Sequence, residues 1–207
     1  MPSNKAILLV ALLAAMAGAA ASLYFEPTIA RRLAGTEAGQ RVLGAALEAK
    51  APTPPAGIKI AERGGILPAM TLATLDGGKV DVPQAWVGRP TLVNLWASWC
   101  APCLKEMPEL QAFASQQPGT GMQVVGIALD DAAPAKVMLE RLGIHYPNLI
   151  DTPGPADAGV RLGNPAGVLP FSVLVSADGR LLKTRIGPFA DAAEITAWAG
   201  QERHDRR

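Results

Sequence analysis

Two cysteines, the only ones in the chain, stand in the run Trp99-Cys100-Ala101-Pro102-Cys103, directly after an apolar, strand-like segment, Thr91–Ala97. A Cys-x-x-Cys that opens a helix sets its first sulfur over unpaired backbone N–H groups and the positive end of the helix dipole. The thiolate is stabilised there, so the thiol is nucleophilic near neutral pH. The second cysteine falls one turn on, close enough to open or close a disulfide. Thiol–disulfide exchange is the chemistry this spacing serves.

Other uses of the pair carry other requirements. Zinc needs four ligands, usually with a second Cys pair or a His pair at short spacing. The two histidines, His145 and His204, are far apart and no second Cys-x-x-Cys exists. A structural disulfide is open to an exported protein, but a bridge closing so short a loop adds little stability through chain entropy. A peroxide-reducing thiol enzyme would carry Pro and then Thr or Ser ahead of its cysteine, and Val93 and Ala97 occupy those positions.

The elements that must position the pair follow from periodicity. Met70–Leu75, the turn Asp76-Gly77-Gly78 and Lys79–Val82 predict a hairpin. Thr91–Ala97 predicts a buried strand. Ala101–Gln117 predicts a helix with Leu104, Met107, Leu110 and Phe113 on one face and a kink at Pro108. Met122–Leu129 and Ala132–Leu142 predict a further buried strand and helix, hence a β-α-β-α unit with parallel strands. Phe171–Val175 and Leu181–Ile186 predict two strands across an Asp178-Gly179 turn, and Ala190–Ala199 a closing helix.

With 207 residues, 49% hydrophobic, and a net charge of +1, the chain can build one ordinary domain plus extensions, and no charge imbalance suggests nucleic acid. Residues 1–25 read as a signal anchor or signal peptide, because Ala6–Phe25 is uncharged and long enough to span a bilayer. Ala19-Ala20-Ala21 offers a cleavage site, while the continuation through Leu23-Tyr24-Phe25 favours a retained anchor. Lys5 keeps the N-terminus cytoplasmic, a bias weakened by Arg31 and Arg32. Residues 26–65 read as an Ala/Gly/Pro-rich stalk or linker with a helix-like patch at Thr36–Lys50, residues 66–200 as the ordered domain, and residues 201–207 as a charged, solvated tail. The expected location is the cell envelope: anchored in the inner membrane with the domain in the periplasm, or soluble there after cleavage. A reductant placed there needs electrons from across the membrane.

The ordered part resembles the thioredoxin superfamily, and within it the membrane-tethered TlpA/ResA-like thiol-disulfide oxidoreductases of the bacterial envelope. The stretch Leu92 to Pro108 is similar to that group's signature almost position for position, and Gly167-Val168-Leu169-Pro170-Phe171 resembles its cis-proline segment. The resemblance implies an α/β, thioredoxin-like fold, with a central mixed sheet flanked by helices and an N-terminal hairpin extension. Cys100, the N-terminal and more accessible sulfur, is the expected nucleophile, and Cys103 resolves its mixed disulfide. Ala101 and Pro102 bring no charge or hydrogen-bonding side chain, so the helix end activates Cys100, with a pKa of roughly 7.

The residues alone leave Pro170 open between cis and trans. The resemblance implies a cis bond after Leu169, packed against the disulfide and presenting backbone for pairing with a client peptide. By sequence Glu106 is a solvated helix residue; the resemblance implies a place beside the redox centre, where burial raises its pKa and lets it move protons. Asn94 stands where ordinary thioredoxins carry a buried Asp. Trp99, Ala101, Pro102 and Leu169 are the expected substrate contacts, with Trp99 covering the disulfide, Trp96 in the core and His145 on the surface.

The implied activity is reduction of disulfides in exported client proteins, apocytochrome c or an oxidase-assembly protein among them. Electrons would come from a membrane thiol transporter of the DsbD or CcdA type, with no cofactor beyond the Cys100–Cys103 pair and no metal. The alternatives are a disulfide-donating oxidase or isomerase, and a non-catalytic binding module with a structural disulfide.

Overall fold

The computed structural model describes residues 4–25, 35–119 and 121–200. Arg31, Arg32, His204 and the tail 201–207 lie outside the described residues. The chain divides into two units, residues 1–46 and 47–207.

In the first unit, α1 (Asn4–Phe25) takes up the Ala/Leu-rich run. Its described leucines, Leu8, Leu9, Leu12 and Leu13, are all exposed. Among the described residues no helix is long and apolar enough to cross a membrane. The anchor expected at Ala6–Phe25 takes in side chains at both ends of that run that lie outside the described residues. α2 (Glu37–Glu48) begins where the Thr36 hydroxyl accepts the N–H of Gly39 at 3.1 Å, and it buries no residue.

The second unit is built on a seven-stranded mixed sheet in the order β2-β1-β5-β4-β3-β6-β7. Its strands are β1 (Met70–Thr74), β2 (Lys79–Val82), β3 (Thr91–Trp96), β4 (Gln123–Leu129), β5 (Asn148–Asp151), β6 (Phe171–Val175) and β7 (Leu181–Ile186). The helices are α3 (Ala101–Ser115), α4 (Ala132–Leu142), the short α5 (Ala158–Arg161) and α6 (Ala192–Gly200). β3, β4 and β5 run parallel, as the crossovers through α3 and α4 require, and the remaining pairings are antiparallel.

Alternation along β3 decides what faces the redox helix. All six residues of β3 are buried. Leu92 and Trp96 enter one core with Cys103, Met107, Leu110 and Phe113 of α3 and Trp198 of α6. Val93 and Leu95 enter the other with Val125, Ile127, Leu162 and Phe171. By the same parity Asn94 shares the α3 face, so its amide is presented to the helix that carries the cysteines.

β5 and α5 were not expected, because Asn148–Asp151 offers only two apolar residues between a Pro and an acid, too short a run for a period-two signal. β5 is nonetheless tied to β3 through a polar bridge. The Trp96 indole N–H donates to Asn148 Oδ1 at 2.9 Å, and Asn148 Nδ2 donates to the Tyr146 carbonyl at 2.8 Å. That bridge crosses Gly126 of β4, where a Cβ would come within 1.9 Å of Asn148 Oδ1. Only glycine leaves the passage open.

Ahead of β1, residues 61–67 are fastened within the second unit by backbone bonds. Ala61 N–H donates to Arg161 O at 2.8 Å, Gly64 N–H to Leu181 O at 2.7 Å, and Leu67 N–H to Gly179 O at 2.9 Å.

Candidate active site

Cys100 occupies the position just before α3, and its carbonyl accepts the N–H of Leu104 at 3.1 Å. No side chain caps this helix end, and Pro102 in the first turn has no N–H of its own. Cys100 and Cys103 are joined in a disulfide with Cα atoms 5.3 Å apart. Cys100 is 5% exposed and Cys103 0%, so any partner reaches the pair through Cys100. Ala101 and Pro102 are exposed beside it.

The turn from β3 into α3 is held from below by Asp130, at the end of β4. Its Oδ2 accepts the N–H of Ser98 at 2.8 Å, and its Oδ1 accepts the N–H of Asp131 at 2.8 Å. Burial works against the charged form, but these bonds outweigh it and hold the Asp130 carboxyl below its usual range.

Glu106, one turn beyond Cys103, points into the core and is 1% exposed. Asn94 Nδ2 donates to its Oε1 at 2.8 Å, and the Phe189 N–H donates to its Oε2 at 2.8 Å. Loss of hydration pushes the carboxyl up to about 7, against the restraining effects of Phe189 and then Asn94. Asn94 Nδ2 also donates to the Ser172 hydroxyl at 3.1 Å, while Asn94 Oδ1 is buried without a partner. The buried Tyr146 phenol, whose oxygen likewise has no partner, is pushed up by burial and by the Glu106 charge. A carboxyl that changes charge near neutral pH, one turn from a buried sulfur, is fitted to exchange protons with it.

The pairing Leu95↔Phe171 sets Leu169 and Pro170 at the end of β3 where α3 begins. The Leu169–Pro170 bond is cis, and so is Val82–Pro83, which nothing in the sequence reading singled out. Asn164 fastens the loop before it twice: Nδ2 donates to Val168 O at 2.9 Å, and Oδ1 accepts the Val168 N–H at 3.1 Å. Leu169 is half-buried and packs against both cores. Trp99 is 69% exposed, and it lines a groove of about 380 Å³ with Leu129, Leu169, Pro52 and Pro54. Trp96 is in the core and His145 is exposed.

The structure joins Cys100 to Cys103, packs Leu169 against the core that holds both, sets Trp99 and Leu169 along one groove, and places Glu106 one turn beyond Cys103 on the same helix. The sequence reading did not reach Ser172, Tyr146, Asn164, Asp130 or the Phe189 N–H. A backbone donor 83 residues from its acceptor leaves no mark in composition or spacing. Among the described residues no group of three or more His, Cys, Asp or Glu could hold a metal ion.

The Redoxin family model matches residues 62–197. The chain is similar to the sporulation thiol-disulfide oxidoreductase A of Bacillus subtilis, 26% identical over 149 residues that cover 70% of this chain and 86% of that protein. It is similar to the thiol:disulfide interchange protein DsbE of Allochromatium vinosum, 35% identical over 116 residues, 55% of this chain and 58% of that one. Among solved structures, a thioredoxin-related protein of Neisseria meningitidis superposes with a TM-score of 0.56 at 30% identity, covering 65% of this chain and 99% of that chain.

Proposed function

The chain belongs to the Redoxin family and is a thiol-disulfide oxidoreductase of the ResA/DsbE type, and from that premise we propose that it reduces disulfides in exported proteins of the bacterial envelope. In the reduced enzyme the Cys100 thiolate attacks a client disulfide, forming a mixed disulfide and releasing one client thiolate. Cys103, deprotonated, then attacks the Cys100 sulfur. The client leaves as a dithiol and the Cys100–Cys103 disulfide remains.

The observation that carries this reading is the buried Glu106 carboxyl one turn from the inaccessible Cys103. A thiol without access to water needs an internal group to take its proton, and a carboxylate whose pKa lies near 7 can both take it and return it. The Ala101-Pro102 pair between the cysteines brings no charged or hydrogen-bonding side chain, which favours the reducing direction, because a strong oxidant requires an unusually stabilised thiolate. Trp99, Leu169 and the exposed Ala101-Pro102 edge form the contact surface for the client, with the backbone ahead of Pro170 pairing with its extended chain.

We place the domain in the periplasm, held to the inner membrane through the Ala6–Phe25 run, whose described leucines are exposed. Electrons then come from a membrane thiol transporter of the DsbD or CcdA type, and an apocytochrome c or an oxidase-assembly protein is the client class the family resemblance favours. Trapping tests the assigned roles. With dithiothreitol-primed enzyme and a disulfide client, Cys103→Ser accumulates a covalent mixed disulfide through Cys100, and Cys100→Ser does not. Equal trapping by both variants, or by neither, contradicts the assignment.

A further inference from the structure

The loop between β7 and α6 reaches Glu106 through one backbone group, the Phe189 N–H, and two charged side chains fasten that loop on either side. Arg185, on β7, is 6% exposed. Its Nη2 donates to Pro188 O at 3.0 Å and to Glu194 Oε1 at 2.8 Å. Its guanidinium also lies over the Phe189 ring, 4.4 Å from the centroid. Glu194, in the first turn of α6, uses its other oxygen to accept the N–H of Ala190 at 2.7 Å.

The carbonyl before Phe189, its ring and the N–H after it are therefore all tied to one ion pair. The group in the middle of that arrangement is the donor to Glu106 Oε2, at 2.8 Å. Beyond it, the Phe189 ring meets Trp198 edge-on at 5.3 Å, and Lys183 lies over the same indole and donates to the Trp198 carbonyl.

We propose that Arg185 and Glu194 are positioning residues for Glu106: the pair holds the 188–190 loop so that the Phe189 N–H meets the carboxyl, and thereby sets the pH at which Glu106 gives up its proton. The consequence for exchange rests on the proton-transfer role given to Glu106 above, whereas the positioning itself does not. The groups facing Glu106 are Asn94 from β3, Tyr146 from the segment before β5, Arg185 from β7, Glu194 from α6, and the disulfide on its own helix.

Charge and positioning predict opposite signs, which makes the proposal testable. Removing Glu194 takes an anion from the vicinity of Glu106, so charge alone moves deprotonation to lower pH. Loss of the clamp frees the loop and weakens a hydrogen bond to the carboxylate, which moves deprotonation to higher pH by about one unit. Arg185→Lys keeps the cation but not the planar fork, so charge alone predicts no change and the clamp predicts a rise.

The experiment follows isotope-labelled glutamate carboxyl carbons by NMR through a pH titration of the oxidised full chain in detergent micelles, with Glu106→Gln assigning the signal. An upward shift in both Glu194→Ala and Arg185→Lys is expected. A downward or null shift in Glu194→Ala overturns the proposal, and if that variant does not fold, an unchanged midpoint in Arg185→Lys does the same. Because the disulfide stays closed throughout, a chain that shows both upward shifts yet exchanges no disulfides upholds the clamp and refutes the redox function.

Discussion

Glu106 is where burial and chemistry pull in opposite directions. Its carboxyl titrates near 7 in the folded chain against an ordinary value of 4.5. Between those values the folded state binds the proton more tightly than the unfolded state. The stability associated with the neutral carboxyl is therefore complete below about pH 4.5 and is lost as pH rises through about 7, an effect on the order of 3 kcal/mol. Urea midpoints of the oxidised protein should accordingly fall between about pH 5 and pH 8, and Glu106→Gln should flatten that fall. Equal slopes in the two proteins would shift the cause elsewhere, to Asp151 in particular, whose half-buried carboxyl is also raised by loss of hydration.

At the scale of elements, the site depends on the strands packed beneath the redox helix. β3 is tied across β4 to β5 by the Trp96–Asn148 bond, and that bond runs through the space a side chain on Gly126 would need. Gly126→Ala should cost about 3 kcal/mol or more in urea unfolding, because either the amide bridge or the backbone must yield. A loss below about 1 kcal/mol would mean that the bridge is dispensable.

The strands that frame the site were legible in advance. Thr91–Trp96, Gln123–Leu129, Phe171–Val175 and Leu181–Ile186 each announce themselves by apolar run or alternation. β5 was not legible, since its place is decided by hydrogen bonds to β4 and β1 rather than by its own four residues. The same division holds in the site. Cys100, Cys103, Pro170 and Glu106 stand out by type, spacing or family resemblance. Asn164, Ser172 and the Phe189 N–H act through contacts that only the folded chain creates.

The whole chain carries an Ala/Leu-rich N-terminal helix, a stretch rich in Ala, Gly and Pro, and a thioredoxin-like domain whose disulfide stands one turn before a buried carboxyl on the same helix. The direction of electron flow is the claim on which the rest depends. A thiolate stabilised only by a helix end leaves the disulfide hard to reduce, which is what the proposed reductant, with its proposed supply of electrons from the membrane, requires. The measurement that tests this most directly is the reduction potential of the full chain equilibrated in glutathione buffers, with free thiols trapped by alkylation. The account predicts a value near the thioredoxin end of the scale, about −270 mV, whereas a value near about −120 mV would make the protein a disulfide donor and contradict it.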